Sequence, residues 1–225
     1  MDWQAIGLSL RLASLTTAIL FLIGTPLAYW ITYSPRRWKF LVEAVVALPL
    51  VLPPTVLGFY VLLAISPRSP VGALYRALTG GGALPFSFTG LVVASVLYSL
   101  PFTVQPMATA FASVDRRLVE AAWCLGVSRA SAFRRIVVPL ARPGIATGVI
   151  LSFAHTLGEF GVVLMVGGNI AGVTRTVSIS IYDQVQALNY RAAAETSLFL
   201  LAVSFIVLAV TYALQRRLWA IWPNT

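Results

Sequence analysis

Charge is what this 225-residue chain has least of: 10% of its residues are charged and 59% are hydrophobic. Soluble globular chains carry about 25% charged residues, so a water-facing surface cannot be assembled from this composition. An ordinary soluble domain and intrinsic disorder are both excluded, and lipid is the expected solvent, in line with a mean hydropathy of +0.87. Lys39, Cys124 and His155 are each the sole residue of their kind. A P-loop needs a lysine next to glycine to hold nucleotide phosphates, whereas Lys39 follows Trp38. Any ATP-driven motor must therefore be another subunit. One cysteine excludes an intrachain disulfide and a Cys-rich metal site. HExxH, CxxC and Gly-x-Ser-x-Gly are all missing. We expect no enzyme activity, no catalytic residue, no metal and no cofactor bound by this chain.

The apolar residues gather in five runs: Leu12–Tyr33, Leu41–Ile65, Phe88–Phe111, Ile145–Val166 and Ala192–Leu214. A hydrocarbon core of about 30 Å takes roughly 20 helical residues, so each run is long enough to cross. The expected fold is an all-α membrane protein with five transmembrane helices. The stretch Thr176–Leu188 is shorter and more polar and reads as a re-entrant or interfacial helix, not a span. The opening Met1-Asp2-Trp3-Gln4 has no positive n-region, and no small-residue cleavage site follows the first run, so that run reads as retained.

Net charge is +9, from 16 basic and 7 acidic residues, and the basic residues sit in clusters between the runs. That arrangement suits a membrane surface and not nucleic acid. Arg36, Arg37, Lys39, Arg116, Arg117, Arg129, Arg134, Arg135, Arg142, Arg216 and Arg217 fall on one side; Arg11, Arg68, Arg76, Arg175 and Arg191 fall on the other. The positive-inside rule then places the N-terminus outside and the C-terminus inside, with Trp30, Trp38, Trp219 and Trp222 near the inner interface. There is no tandem repeat, and an odd number of spans argues against two inverted halves. Five helices are few to enclose a wet path, so a second copy of the chain is expected to complete it. The loops leave no room for a separate soluble domain: residues 1–225 form one membrane domain, and 113–140 form its cytoplasmic loop.

That loop contains DRRLVEAAWCLGVSRASAFRRIVVPLARPGI, from Asp115 to Ile145. Asp115 can cap a short helix through Leu125, and Gly126 can end it in the left-handed conformation. Ser128 can cap a second helix, which is expected to stop before Pro139. Ala121, Ala122 and Leu125 give the first helix a small close-packing face, and Phe133, Ile136 and Val137 give the second an apolar one. A knob of this kind either docks in a groove on a cytoplasmic partner or lies on anionic lipid.

Two further regions are unusual for membrane helices. Pro49, Pro53 and Pro54 interrupt the second run, and Pro101 and Pro106 flank Gln105 in the third. Prolines leave carbonyls without helical partners, which in hydrocarbon must face protein or a wet cavity. The Thr55 and Thr103 hydroxyls are then candidates to line a route for an oxyanion, with a packing kink as the alternative. In the fourth run His155 and Glu159 are the only ionisable residues deep in a span, four apart on one helical face. A buried acid costs on the order of 2.5–3.5 kcal/mol on insertion scales, so Glu159 should face a dimer interior or a partner. A gate or polar hinge, a proton relay, and an interhelical hydrogen bond remain open for this pair. Gly158 and Gly161 beside it would allow close helix approach.

Glu120-Ala121-Ala122, three residues, Gly126, nine residues, then Ile136 and Pro139 resemble the EAA signature of ABC importer membrane subunits, with Val138 where that family usually has leucine. The resemblance implies a type I ABC importer permease architecture in which Glu120, Ala121, Ala122 and Gly126, with Leu125, Phe133, Ile136 and Pro139 around them, dock on an ATP-hydrolysing subunit. The run Leu48–Gly58, the Gly158-Glu159-Phe160-Gly161 segment and Asn169–Thr176 are together similar to molybdate permease subunits. That family implies two permease copies, two ATPase subunits and an extracytoplasmic oxyanion-binding protein, in the cell inner or plasma membrane. Under it Arg175 touches the binding protein or anchors its loop at the headgroups. The expected function is molybdate import driven by ATP hydrolysis in the partner. The same role for tungstate or sulfate, a proton-coupled secondary transporter using His155 and Glu159, and a membrane scaffold are the alternatives.

Overall fold

The computed structural model describes residues 1–221, with side chains through residue 213. The Arg216, Arg217, Trp219 and Trp222 side chains expected at the inner interface lie outside the described part. Among the described residues every regular element is a helix.

Helix α1 spans Trp3–Tyr33 and begins earlier than the apolar run, because Asp2 caps it: its Oδ1 accepts the Ala5 N–H at 3.0 Å. The helix ends at Ser34, as expected for a residue that precedes Pro35. Its buried residues recur every three or four positions (Ala5, Ser9, Leu12, Thr16, Leu20, Gly24, Ala28, Ile31), so one stripe faces the bundle. Helix α5, Phe88–Ala112, is the central element and runs unbroken through Pro101 and Pro106, which corrects the expected interruption there.

The second apolar run is not one helix. Helix α2 (Lys39–Val51) and helix α3 (Pro54–Ile65) meet at a bend of 117°. Each of the two prolines pushes the residue before it out of the helical region, so Leu52 and Pro53 are extended (ψ 137° and 136°). Pro54 then occupies the first turn of α3, where a missing amide costs nothing. Helix α4 (Pro70–Thr79) follows.

The third segment is the loop: α6 (Arg116–Cys124), α7 (Arg129–Ala132), a π-turn (Phe133–Val137) and α8 (Val138–Leu140). It leads at a 76° bend into α9 (Arg142–Gly158). The fourth apolar run is likewise divided, because Glu159 is extended (ψ 137°) and α10 restarts at Gly161–Gly167. The Thr176–Leu188 stretch forms α11, Val177–Gln186, held by the Val177 N–H donating to Ser9 Oγ at 2.8 Å. Helix α12 is Tyr190–Ile221.

Among the described residues three helices are long and apolar enough to cross a membrane, or up to five if each bent pair counts as one span. Half of the span window in α5 is buried against 11% of that in α12, so α5 is the axis and α12 the periphery. Glycines set the closest contacts. A Cβ at Gly148 would sit 2.8 Å from the Thr103 carbonyl oxygen, and one at Gly144 would overlap Ala110 Cβ, so α9 lies directly on α5.

Candidate coupling elbow and translocation elements

Helix α6 begins where Asp115 Oδ1 accepts the Arg117 N–H at 2.9 Å. It ends in a Schellman arrangement: the Val127 N–H donates to the Ala122 carbonyl at 3.0 Å and the Gly126 N–H to the Trp123 carbonyl at 2.9 Å. Gly126 has φ +80°, the left-handed value that glycine adopts without strain. Ser128 Oγ then accepts the Ser131 N–H at 3.3 Å and starts α7. Two expected caps and the expected glycine stop are all in place.

The expected stop before Pro139 is not. The chain passes through Pro139 because residues 133–137 widen into a π-turn, in which the Val138 N–H reaches back to the Phe133 carbonyl. A proline inside an α-helix removes an amide and clashes with the carbonyl four residues earlier; for Pro139 that carbonyl belongs to Arg135, inside the widened turn.

The apolar face of this second helix is also placed differently from expectation. Phe133 stands edge-on to Tyr29 (4.7 Å between centroids) and to Phe111 (5.7 Å), and Ile136 is packed on the same cluster. Val119, Ala122, Ala132, Val137 and Ala141 share one buried core with Ala28 and Ile31 of α1 and with Val104, Met107 and Phe111 of α5. Tyr33 Oη donates to the Phe111 carbonyl at 3.0 Å across the same junction. Phe133, Ile136 and Ala122 therefore join the elbow to the bundle and are not its outward face, and Pro139 is half-buried. What points outward is Leu118, Ala121 and Leu125, at helical spacing along α6, with Leu125 85% exposed. Glu120 stands beside them, 3.3 Å from Arg116 in an exposed pair. An elbow with a free apolar face and a root in the membrane core can pass a push from outside into α1 and α5.

The proline and carboxylate elements divide. Pro53, Pro54 and Thr55 are exposed at the α2–α3 break and Gln105 is exposed on α5, whereas Pro49 is buried. Thr103 is fully buried beneath Gly24 and cannot line a route. Gly161 makes the close approach expected of it: a Cβ there would lie 2.8 Å from Pro54 Cβ, bringing α10 against α3. Gly58 does the same from the other side, at 2.8 Å from Met165 Cβ. Gly158 does not, since a Cβ there would meet nothing within 4 Å.

His155 and Glu159 do not share a helical face, because α9 ends at Gly158. Both are tied to α5 within the same chain. Ser95 Oγ donates to Glu159 Oε2 at 2.9 Å, and His155 Nδ1 lies 2.9 Å from Ser99 Oγ, itself 2.8 Å from Thr156 Oγ1. The His155 ring stacks on Phe102 at 3.8 Å. Glu159 is 5% exposed, and its Oε1 has no hydrogen-bond partner. The carboxylate is thus enclosed by its own chain and not turned outward. Ser95 and Ser99 escaped notice in the sequence; their four-residue spacing inside an apolar run, matching that of His155 and Glu159, was the available signal. Arg175 is anchored by its own loop: its Nε donates to Asn169 Oδ1 and lies 3.6 Å from Asp183, which also accepts from Asn169.

Comparison with known proteins gives these features a context. The chain is 53% identical over 215 residues to the molybdenum transport system permease protein ModB of Azotobacter vinelandii, covering 96% of this chain and 95% of the relative. It is 35% identical to the ModB protein of Escherichia coli K12 over 96% of this chain and 94% of that one. Among solved structures, the inward-facing MetNI methionine ABC transporter superposes with a TM-score of 0.76 at 15% identity, covering 97% of this chain and 96% of that one. A bacterial alginate ABC transporter in complex with an alginate pentasaccharide-bound periplasmic protein gives 0.76 at 20% identity, over 95% of this chain and 78% of that one. These two share the fold. Residues 21–220, which include the elbow and both broken segments, match one family along their length, and the chain belongs to it: the binding-protein-dependent transport system inner membrane components.

Proposed function

We propose that this chain is the membrane-spanning permease of an ABC importer that carries molybdate into the cytoplasm, with ATP hydrolysed by a separate subunit. The observation that carries the proposal is the 53% identity to a molybdenum permease, running through the elbow and both broken segments. In this reading α2 with α3 forms one span and α9 with α10 another, beside α1, α5 and α12; the N-terminus is outside and the C-terminus inside, and residues 1–225 are a single domain of the inner or plasma membrane. Residues 113–140 form the cytoplasmic coupling loop. Two copies of the chain face each other, two ATPase subunits dock on the two elbows, and an extracytoplasmic oxyanion-binding protein delivers the cargo. Neither a metal nor a cofactor takes part in this chain's role.

The geometry supports a division of labour. The elbow, α1, α5 and α9 share buried contacts and move as one body when the ATPase dimer closes. Helices α3 and α10 are locked together through Gly58 and Gly161, and each follows a non-helical joint, Leu52–Pro53 or Glu159–Phe160. Rocking at these joints opens and closes the path, and Pro53, Pro54, Thr55 and Gln105 offer exposed backbone and side-chain groups along it. Molybdate and tungstate are tetrahedral dianions of similar size and charge, so the choice between them belongs to the binding protein.

The test is uptake of molybdate into vesicles holding the permease, the ATPase and the binding protein. Accumulation should require ATP and stop when Glu120 and Gly126 are both replaced by bulky residues. Transport by the chain alone under a pH gradient would overturn the proposal.

A further inference from the structure

Arg11 is a cation set in an apolar stretch of α1. It lies nine residues past the Asp2 cap, about 14 Å along α1, between Leu10 and Leu12. Among the described residues it forms no ion pair. The acids packed near that end are engaged elsewhere: Asp2 accepts from the Ala5 N–H and the Ser180 hydroxyl, and Asp183 takes Arg175 and Asn169. The Phe88 ring covers one face of the guanidinium at 4.6 Å, which fixes the group without using its N–H donors. Arg11 is exposed and lines an open cavity of about 470 Å³ together with Gln4, Gly7, Leu8, Phe88 and the Gly172–Val173 turn. Gln4, Gly7 and Arg11 are on one face of α1, and a Cβ at Gly7 would meet nothing within 4 Å, so the helix presents bare backbone to the cavity there. At ~30 Å³ per water the cavity holds roughly fifteen waters, enough for a hydrated anion.

We infer that this cavity is a landing site for a tetrahedral oxyanion, which Arg11 holds by charge-assisted hydrogen bonds with the Gln4 amide as a second donor. The inference rests on the importer reading and adds to it a place within the permease, on the outer side, where cargo pauses after leaving the binding protein. The cavity is open, so the hold is weak and release is easy. A lipid headgroup phosphate offers the same tetrahedral chemistry, and the experiment separates the two sources.

Gly7→Cys places a thiol in the cavity, in a Cys124→Ser background of the assembled permease–ATPase complex. The rate of thiol labelling is measured in zwitterionic vesicles with molybdate or with chloride at equal ionic strength. Molybdate should slow the labelling, and adding Arg11→Gln should weaken that protection about tenfold, the loss of one charge-assisted hydrogen bond. Arg11→Lys, which keeps the charge, should retain most of it; this variant also answers the case in which Arg11→Gln fails to assemble. Labelling indifferent to molybdate overturns the inference. So does protection that appears only with anionic lipid, which would assign the site to a headgroup. Protection is read without ATP or transport, so a wild-type complex that fails to import molybdate sinks the importer reading and leaves this measurement standing.

Discussion

Gly126 offers the sharpest test of the elbow, because conformation and contact can be separated there. Its φ is +80°, and a Cβ built on it would meet nothing within 4 Å in this chain. Any side chain therefore fits, and the cost of one is conformational. An L-residue held in the left-handed region costs about 1–2 kcal/mol, while asparagine tolerates that region and a β-branched residue tolerates it least. The strain falls on the Schellman closure through Val127 and Ala122, and so on the angle at which α6 is presented. At 1.4 kcal/mol per factor of ten, Gly126→Ala should lower the population of the docking-competent elbow by about 5- to 30-fold at most. The apparent affinity for the ATPase subunit falls with that population. The expected order of affinities is glycine, then asparagine, then alanine, then valine, read by titrating purified ATPase subunit onto permease in nanodiscs. If alanine binds more tightly than asparagine, size matters more than backbone conformation, and the partner's surface touches this position. If all four bind alike, the argument for a conformationally specified elbow is refuted.

Other expectations follow from single contacts. Ser95→Ala removes the one hydrogen bond to the buried Glu159 carboxyl and should destabilise the protein in detergent by about 1–3 kcal/mol; unchanged melting would mean that the carboxyl is solvated. Gly144→Val should destabilise by about 1–3 kcal/mol through overpacking on Ala110, whereas Gly158→Ala, in open space, should stay within ~0.5 kcal/mol. Comparable effects of the two on thermal melting would contradict the close α5–α9 approach. Leu125→Asp should leave melting unchanged and abolish ATPase co-purification, because Leu125 is 85% exposed. Phe133→Ala should instead lower stability by about 3 kcal/mol, since it empties the seat between Tyr29 and Phe111; a variant that loses the ATPase at full stability would return Phe133 to the docking face.

Local chemistry made parts of the elbow readable in advance. Asp115, Gly126 and Ser128 act on backbone groups within three or four residues of themselves, and each does in the structure what its type implies. The match to the importer signature was readable for the same reason, as spacing along one short segment. Pro139 misled because its effect depends on the turn before it, and that turn is shaped by Phe133 and Val137 entering a core made with α1 and α5. Pro101 and Pro106 misled in the opposite direction: α5 stays one continuous helix among α1, α2, α9 and α10, and packing against them outweighs two missing amides. Only the adjacent pair Pro53–Pro54 broke its helix, since one proline forces the residue before the other out of the helical region.

Composition and the lengths of the apolar runs determined by themselves that this is a helical membrane protein, because solvent preference and helix length are properties of residues and their order. The tertiary structure decided which faces look inward. It turned Phe133 and Ala122 into the root of the elbow, left Leu118, Ala121 and Leu125 as its outer surface, and enclosed Glu159 against Ser95. It also left Arg11 over Phe88 with no acid paired to it among the described residues. The physical reason is that in lipid both faces of a helix are apolar, so hydrophobic periodicity carries little information about direction, and only close contact between helices chooses the side.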